Sequence, residues 1–174
     1  ANFKGDLGFM GKDWKEREKG QPFFAQITLG GTHRQWNRDA KNPIDPNDIE
    51  LPPYYVDTPF ARRDWANGLE QMQICDREIG DILKRLDKEG LSQNTLVFLI
   101  GDNGRCHIRG KQFLYDPGLQ VPLIIKWPGK VAPNQVNEDM VQTIDITATI
   151  LDVAGAKPSH PLQDERNVYG RQAQ

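Results

Sequence analysis

Hydrophobic positions along the chain fall into two kinds of spacing, and each predicts a different element. Over residues 61–89, Trp65, Leu69, Met72, Ile79, Ile82, Leu83 and Leu86 recur at steps of three, four and seven, the spacing of one apolar stripe on a helix. Arg77, Glu78, Lys84, Arg85, Asp87 and Lys88 lie between them and belong on the wet side, and Gly90 stands where a helix would end. On this reading the helix is scaffold and contributes no site residue. Residues 95–100 (Thr-Leu-Val-Phe-Leu-Ile) and 121–126 (Val-Pro-Leu-Ile-Ile-Lys) are continuous apolar runs instead, the pattern of strands buried on both faces in a parallel sheet. Residues 23–29, rich in aromatic and β-branched side chains and closed by Gly30-Gly31, predict a further strand. A last helix is expected over 145–153, with Gly155 beyond it. Strand, helix, strand, strand, helix is the order of an α/β layer fold. The polar stretch between His33 and Pro59, broken by Pro43, Pro46, Pro52 and Pro53, is long enough to suggest a functional loop, and the tail from Lys157 is polar and irregular.

Composition narrows the function classes without choosing one. The 174 residues are 37% hydrophobic and 26% charged, a globular balance, and the formal charge of −2 gives no general affinity for nucleic acid or anionic membranes. No apolar run approaches the roughly 20 residues that span a bilayer. The first residues, Ala1-Asn2-Phe3-Lys4-Gly5-Asp6, lack the layout of a signal peptide and read as the middle of a longer protein. Cys75 and Cys106 are expected as free thiols, and without a CxxC pair thiolate-held zinc is not expected.

In open α/β sheets, sites gather beyond the carboxyl ends of strands. Two polar clusters occupy such positions: Thr32-His33-Arg34 after the 23–29 run, and Asp102-Asn103 after the 95–100 run. Asp102 and Asn103 offer a carboxylate and an amide carbonyl, hard donors suited to Ca²⁺ or Mg²⁺, although Asp-Asn-Gly also reads as a plain turn. Lys111, after Arg109-Gly110, could neutralise an anionic ester; His33 could donate to that anion or exchange a proton with it. Each also has a plainer reading, as a surface cation and as a loop imidazole. Arg105 and His107 share the loop of the Asp-Asn pair.

Several segments in order resemble the sulfatase family: Gly101-Asp102-Asn103-Gly104, Gly110-Lys111, Leu114-Tyr115-Asp116-Pro117-Gly118, Val121-Pro122-Leu123-Ile124-Ile125 and Trp127-Pro128-Gly129. The Pro22-Phe23-Phe24 strand leading to His33 and the Thr143–Leu151 helix are similar to the same family, so that the likeness covers roughly residues 20–156. The look is nearest to bacterial arylsulfatases and heparan N-sulfatase-like enzymes. The resemblance implies an alkaline-phosphatase-like α/β sandwich, its mostly parallel sheet covered by helices, incomplete because the N-terminal half is absent. Residues 1–156 would be the C-terminal part of the catalytic domain and 157–174 a tail or the start of the next segment. By the same resemblance Asp102 and Asn103 are two ligands of Ca²⁺ (Mg²⁺ being the alternative). Lys111 and His33 hold the sulfate and assist the leaving oxygen, and the nucleophile is a formylglycine made from the Cys (or a Ser in its place) of a Cys-x-Pro/Ala-x-Arg motif.

Neither Gln73-Ile74-Cys75-Asp76-Arg77 nor Arg105-Cys106-His107-Ile108-Arg109 fits that motif, so the nucleophile and an early Asp pair are expected upstream and the isolated chain is expected to be inactive. Arg105 and His107 replace apolar or small residues commoner in the family, which favours a sulfated polysaccharide, such as a glycosaminoglycan, over a small aryl ester. Relatives that degrade polysaccharides imply a periplasmic or secreted parent protein. Two other readings stand beside this one. A phosphomonoester, phosphodiester or phosphonate hydrolase of the same superfamily would want two metals, yet only His160 follows Lys111 as a further histidine. A non-catalytic remnant that binds sulfated glycans is the second.

Overall fold

A computed structural model describes residues 11–158; His160 and most of the expected tail lie outside them. The described chain divides into two compact units. Residues 11–81 with 105–108 form the first, and residues 82–104 with 109–158 the second. Helix α1 (Pro59–Lys88) passes through both.

In the first unit an irregular chain is fastened to the first turns of α1. Short 3₁₀ turns at Trp14–Glu16, Gly30–Thr32 and Pro46–Asp48 are its only other helical elements among the described residues. Trp14, Ile49, Ala66 and Cys75 are its buried apolar residues. The rest of the interior is polar. Glu70, fully buried, accepts from Arg38 Nε (2.9 Å) and from the backbone N–H groups of Asp39 (2.8 Å) and Ile44 (3.0 Å). Gln71 accepts from Asn37 N at 2.9 Å, and buried Asp39 pairs with Arg77 Nη1 at 2.8 Å. These contacts correct the assignment of α1's polar residues to solvent. A proline-rich loop laid on a helix brings backbone donors that must be satisfied, so acceptors face inward, while Met72 of the expected apolar stripe is 46% exposed.

A second correction concerns residues 23–29, which form no strand. Strand propensity is expressed only where a neighbour completes the ladder, and this segment forms no strand ladder with the described residues; Phe24 and Ile27 are exposed.

The second unit contains the sheet. Strands β1 (Val97–Ile100) and β2 (Leu123–Lys126) pair antiparallel, with Val97 opposite Lys126 and Ile100 opposite Leu123. The parallel arrangement suggested by the two apolar runs is not what this pair shows, because a continuous apolar run records burial and carries no strand direction; residues 101–122 between the strands hold the four-residue helix α2 (Asp116–Leu119). Neither strand is buried throughout; Ile100 and Ile124 are 45% and 58% exposed. The ladder gains a bond beyond β1, from Gly101 N to Pro122 O (3.0 Å).

Helix α3 (Thr143–Ala154) starts two residues before the predicted position. Asp145 explains the start: its carboxylate accepts from Gln142 N (2.7 Å) and satisfies an N-terminal donor. The end follows the sequence reading, with Gly155 at φ 63° and Ala156 N bonded to Leu151 O (2.9 Å). Gly90, at φ 70°, likewise closes α1. Leu86 and Ile146 are the buried apolar residues of this unit among the described residues.

Candidate functional site

Asp102 and Asn103 lie in a bend directly after β1, the position expected of them. Asp102 is exposed, and the half-buried Asn103 donates from Nδ2 to Gly104 O (2.9 Å), leaving its amide oxygen as the free acceptor. The bend is fixed by close backbone packing. Gly104 N donates to Gly118 O (3.3 Å), and a Cβ on Gly104 would run into the Pro117 carbonyl. On its other side Gly118 lies against the chain just before Lys111: a Cβ there would meet the Phe113 carbonyl and stand 2.6 Å from Gly110 O. Gly118 on α2 therefore packs closely against both Gly104, beside Asn103, and Gly110, beside Lys111. The structure thus brings the Asp-Asn pair and Lys111 to the same short helix within the second unit.

Lys111 is half-buried and bracketed by two residues in the left-handed region, Arg109 at φ 60° and Gln112 at φ 77°. Non-glycine residues avoid that region, and such strain collects at functional sites. Arg109 also lies over the Tyr115 ring, 5.0 Å from its centroid.

The other expected site residues belong to the first unit. His33 is exposed, and its Nδ1 donates to the Arg34 carbonyl at 2.7 Å, so in the neutral ring Nε2 keeps its lone pair. His107 is enclosed, its side chain 2% exposed. The ring stacks on Trp36 (5.3 Å, 15°) and tilts against Trp65 (4.7 Å). Neither ring nitrogen has a hydrogen-bond partner among the described residues; Nε2 stands 3.5 Å from Asp64 Oδ2. Burial, then the Arg105 charge, lowers its pKa to about 4, against a smaller upward pull from Asp64. His107 is accordingly neutral at pH 7. Arg105 lies over Trp65, 4.2 Å from the ring centroid, and burial pushes its pKa below the ordinary arginine value. Gly68 makes room for both, since a Cβ there would stand 2.9 Å from His107 Cε1.

Asp64 is the residue the sequence did not single out. Its carboxylate accepts from Arg34 Nη2 (2.6 Å) and Trp36 Nε1 (3.2 Å). Arg34 Nε donates to Cys106 O (2.8 Å), and Tyr55 Oη accepts from Ile108 N (3.0 Å). The available signal was Gly68: glycine inside a helix costs about 1 kcal/mol relative to alanine and so marks a packing need. Asp64, Gly68 and Gln71 then follow at helical spacing on that face.

Could these groups hold a metal ion? Among the described residues no group of three or more His, Cys, Asp or Glu is arranged to do so. Asp102 and Asn103 offer two hard oxygens, which fits part of a Ca²⁺ shell of about 6–8. Both cysteines are free thiols, and burial raises the pKa of Cys75. No helix among the described residues is long and apolar enough to cross a membrane.

The family model named Sulfatase matches residues 8–156 of the chain. An ulvan-active sulfatase of Formosa agariphila is 27% identical over 190 residues, covering 87% of this chain and 32% of that protein. Human N-acetylglucosamine-6-sulfatase is 33% identical over 140 residues (77% of this chain, 24% of the relative). Human N-sulphoglucosamine sulphohydrolase is 36% identical over 119 residues (67% and 23%). The chain spans less than a third of the length of these curated relatives.

Proposed function

The chain belongs to the sulfatase family, and from that premise we propose that it supplies part of the active site of a sulfuric ester hydrolase. The substrate is a sulfated carbohydrate or aryl ester, with a polysaccharide favoured; relatives named for ulvan and for N-acetylglucosamine 6-sulfate support the carbohydrate. One observation carries the reading: Gly118 packed against both Gly104 and Gly110, which keeps the Asp102-Asn103 bend and Lys111 close to one short helix. Residues 1–156 are then the C-terminal part of the catalytic domain and 157–174 a tail or the start of the next segment.

Asp102 and Asn103 would give two oxygens to Ca²⁺, or Mg²⁺ in its place. When bound, the cation would offset the charge of the sulfate and polarise its oxygens. Lys111 holds a sulfate oxygen and stabilises charge that develops as the ester bond breaks. His33 uses Nε2 to take up a proton and deliver it to the leaving oxygen, or, once protonated, to bond the sulfate. Arg105 adds positive charge for an acidic sugar. His107, with 2% of its side chain exposed, shapes that place by packing Trp36 and Trp65 under the loop. The nucleophile is a formylglycine from outside residues 1–174, because neither cysteine fits its motif; these residues alone would release sulfate at background. The parent protein is periplasmic or secreted.

The test is sulfate release from sulfated oligosaccharides by the full-length gene product. Lys111→Ala and Asp102→Ala should each lower kcat/KM by roughly 10²–10³-fold. Undiminished turnover in Lys111→Ala would overturn the assignment, and preferential hydrolysis of phosphate esters would move the protein to the phosphoester branch of the superfamily.

A further inference from the structure

We propose that Asp64 is a positioning residue for His33, acting through Arg34 to fix which ring nitrogen of the histidine carries the proton. This rests on the role given to His33 above.

The links are all within the first unit. His33 is exposed, and among the described residues the Arg34 carbonyl, 2.7 Å from Nδ1, is the hydrogen-bond partner that selects its tautomer. An imidazole in water exchanges freely between its two neutral forms, and the hydrogen bond made by one nitrogen decides what the other can do. With Nδ1 donating, Nε2 presents a lone pair, the form able to collect a proton and pass it on. The direction of the Arg34 carbonyl therefore sets the chemistry of His33.

Arg34 is held at three points, two of which lead to Asp64. Its Nη2 donates to Asp64 Oδ2 (2.6 Å), its Nε donates to the Cys106 carbonyl (2.8 Å), and its guanidinium carbon lies 5.4 Å from the Trp36 ring centroid. Trp36 is itself fixed by Nε1 donating to Asp64 Oδ1 (3.2 Å). One carboxylate thus restrains residues 34 and 36 together, and with them the carbonyl on which His33 leans. Arginine suits the task because its planar fork reaches two acceptors at once, which a lysine ammonium on a flexible stem does not reproduce. Asp64 itself is carried by the first turns of α1, a rigid support.

In the ¹⁵N-histidine-labelled full-length gene product, His33 is assigned as the ring system lost in His33→Gln. In the unaltered protein His33 should show a protonated Nδ1 and an unprotonated Nε2. In Asp64→Ala and in Arg34→Lys it should change to the averaged pattern of a free imidazole. Arg34→Lys decides the matter if Asp64→Ala does not fold. His33 spectra unchanged from the unaltered protein in the folded variants would overturn the inference. In the full-length gene product the same variants should lower kcat by roughly tenfold to a hundredfold, with KM within about twofold; a change in KM alone would also overturn it. The reading of function fails separately: the unaltered full-length protein would release no sulfate, whatever the His33 spectra show.

Discussion

At His107 the removal of water from both ring nitrogens, together with the Arg105 charge, holds the pKa near 4, against an ordinary value of 6.5. The folded-state value is the lower one, so between these limits the unfolded chain takes up a proton that the folded chain does not. Stability should therefore be level above pH 6.5 and fall as the pH drops from 6.5 towards 4, by on the order of 2 kcal/mol. Urea unfolding at pH 7.5 and 5 measures this, and His107→Phe, which keeps an aromatic ring between Trp36 and Trp65, should lose that part of the slope. The backbone beside Lys111 gives a second expectation. Gln112 sits at φ 77°, where glycine is unstrained. Gln112→Gly should raise stability by about 1 kcal/mol in the same assay, with no hydrogen bond of the Gln112 side chain to be lost among the described residues. Candidate residues were legible where chemistry is local: Asp102, Asn103 and Lys111 stand out by type and by neighbouring glycines. Asp64 was not legible, because an aspartate among many charges on a helix reveals its partners only once residues 34 and 36 fold back onto it.

Helix α1 was the clearest element in the sequence, and its buried side the least. Periodicity found its length and Gly90 its end, yet the stripe criterion counts apolar residues and passes over Glu70 and Gln71, which face the loop. Burial acts to raise the Glu70 pKa, but Arg38 and the backbone N–H groups of Ile44 and Asp39 outweigh it and bring the net value below 4.5. Asp39 is lowered from 3.8, chiefly by its hydrogen bond with Arg77. Both folded-state values are depressed, so their stabilisation is present above about pH 4.5 and is lost as the pH falls through the folded values. Glu70→Ala would leave two backbone donors and the Arg38 guanidinium without their acceptor, at a cost of about 3 kcal/mol. A shift of the urea midpoint at pH 7, together with a shallower loss between pH 4.5 and 3, would show that Glu70 fastens this loop. The strand predicted at 23–29 illustrates the converse: propensity named the residues suited to a ladder but could not supply a neighbouring strand.

Across the whole molecule, apolar side chains remain at the surface. The two-stranded sheet has no third strand among the described residues, and Ile100 and Ile124 are 45% and 58% exposed. Unpaired edges with apolar side chains favour association with other chains. In residues 1–174 taken alone, Ile124→Lys should reduce light scattering on concentration, without lowering the free energy of unfolding by more than about 0.5 kcal/mol. The α/β class was legible from alternating element types, whereas strand direction was not, because apolar runs record burial and carry no polarity.

The contact of Gly104 with Gly118 also bears on the order in which the protein folds. The partners lie close along the chain, so the loop they close carries a small entropic penalty and forms on a short timescale. The bend holding Asp102 and Asn103 and the turn holding Lys111 meet the same glycine, and neither can seat fully before α2 is in place. The Asp102-Asn103 bend and Lys111 would then become ordered in one early event, ahead of pairings that join distant parts of the chain. A methyl group at either glycine would reach beyond stability and slow that event.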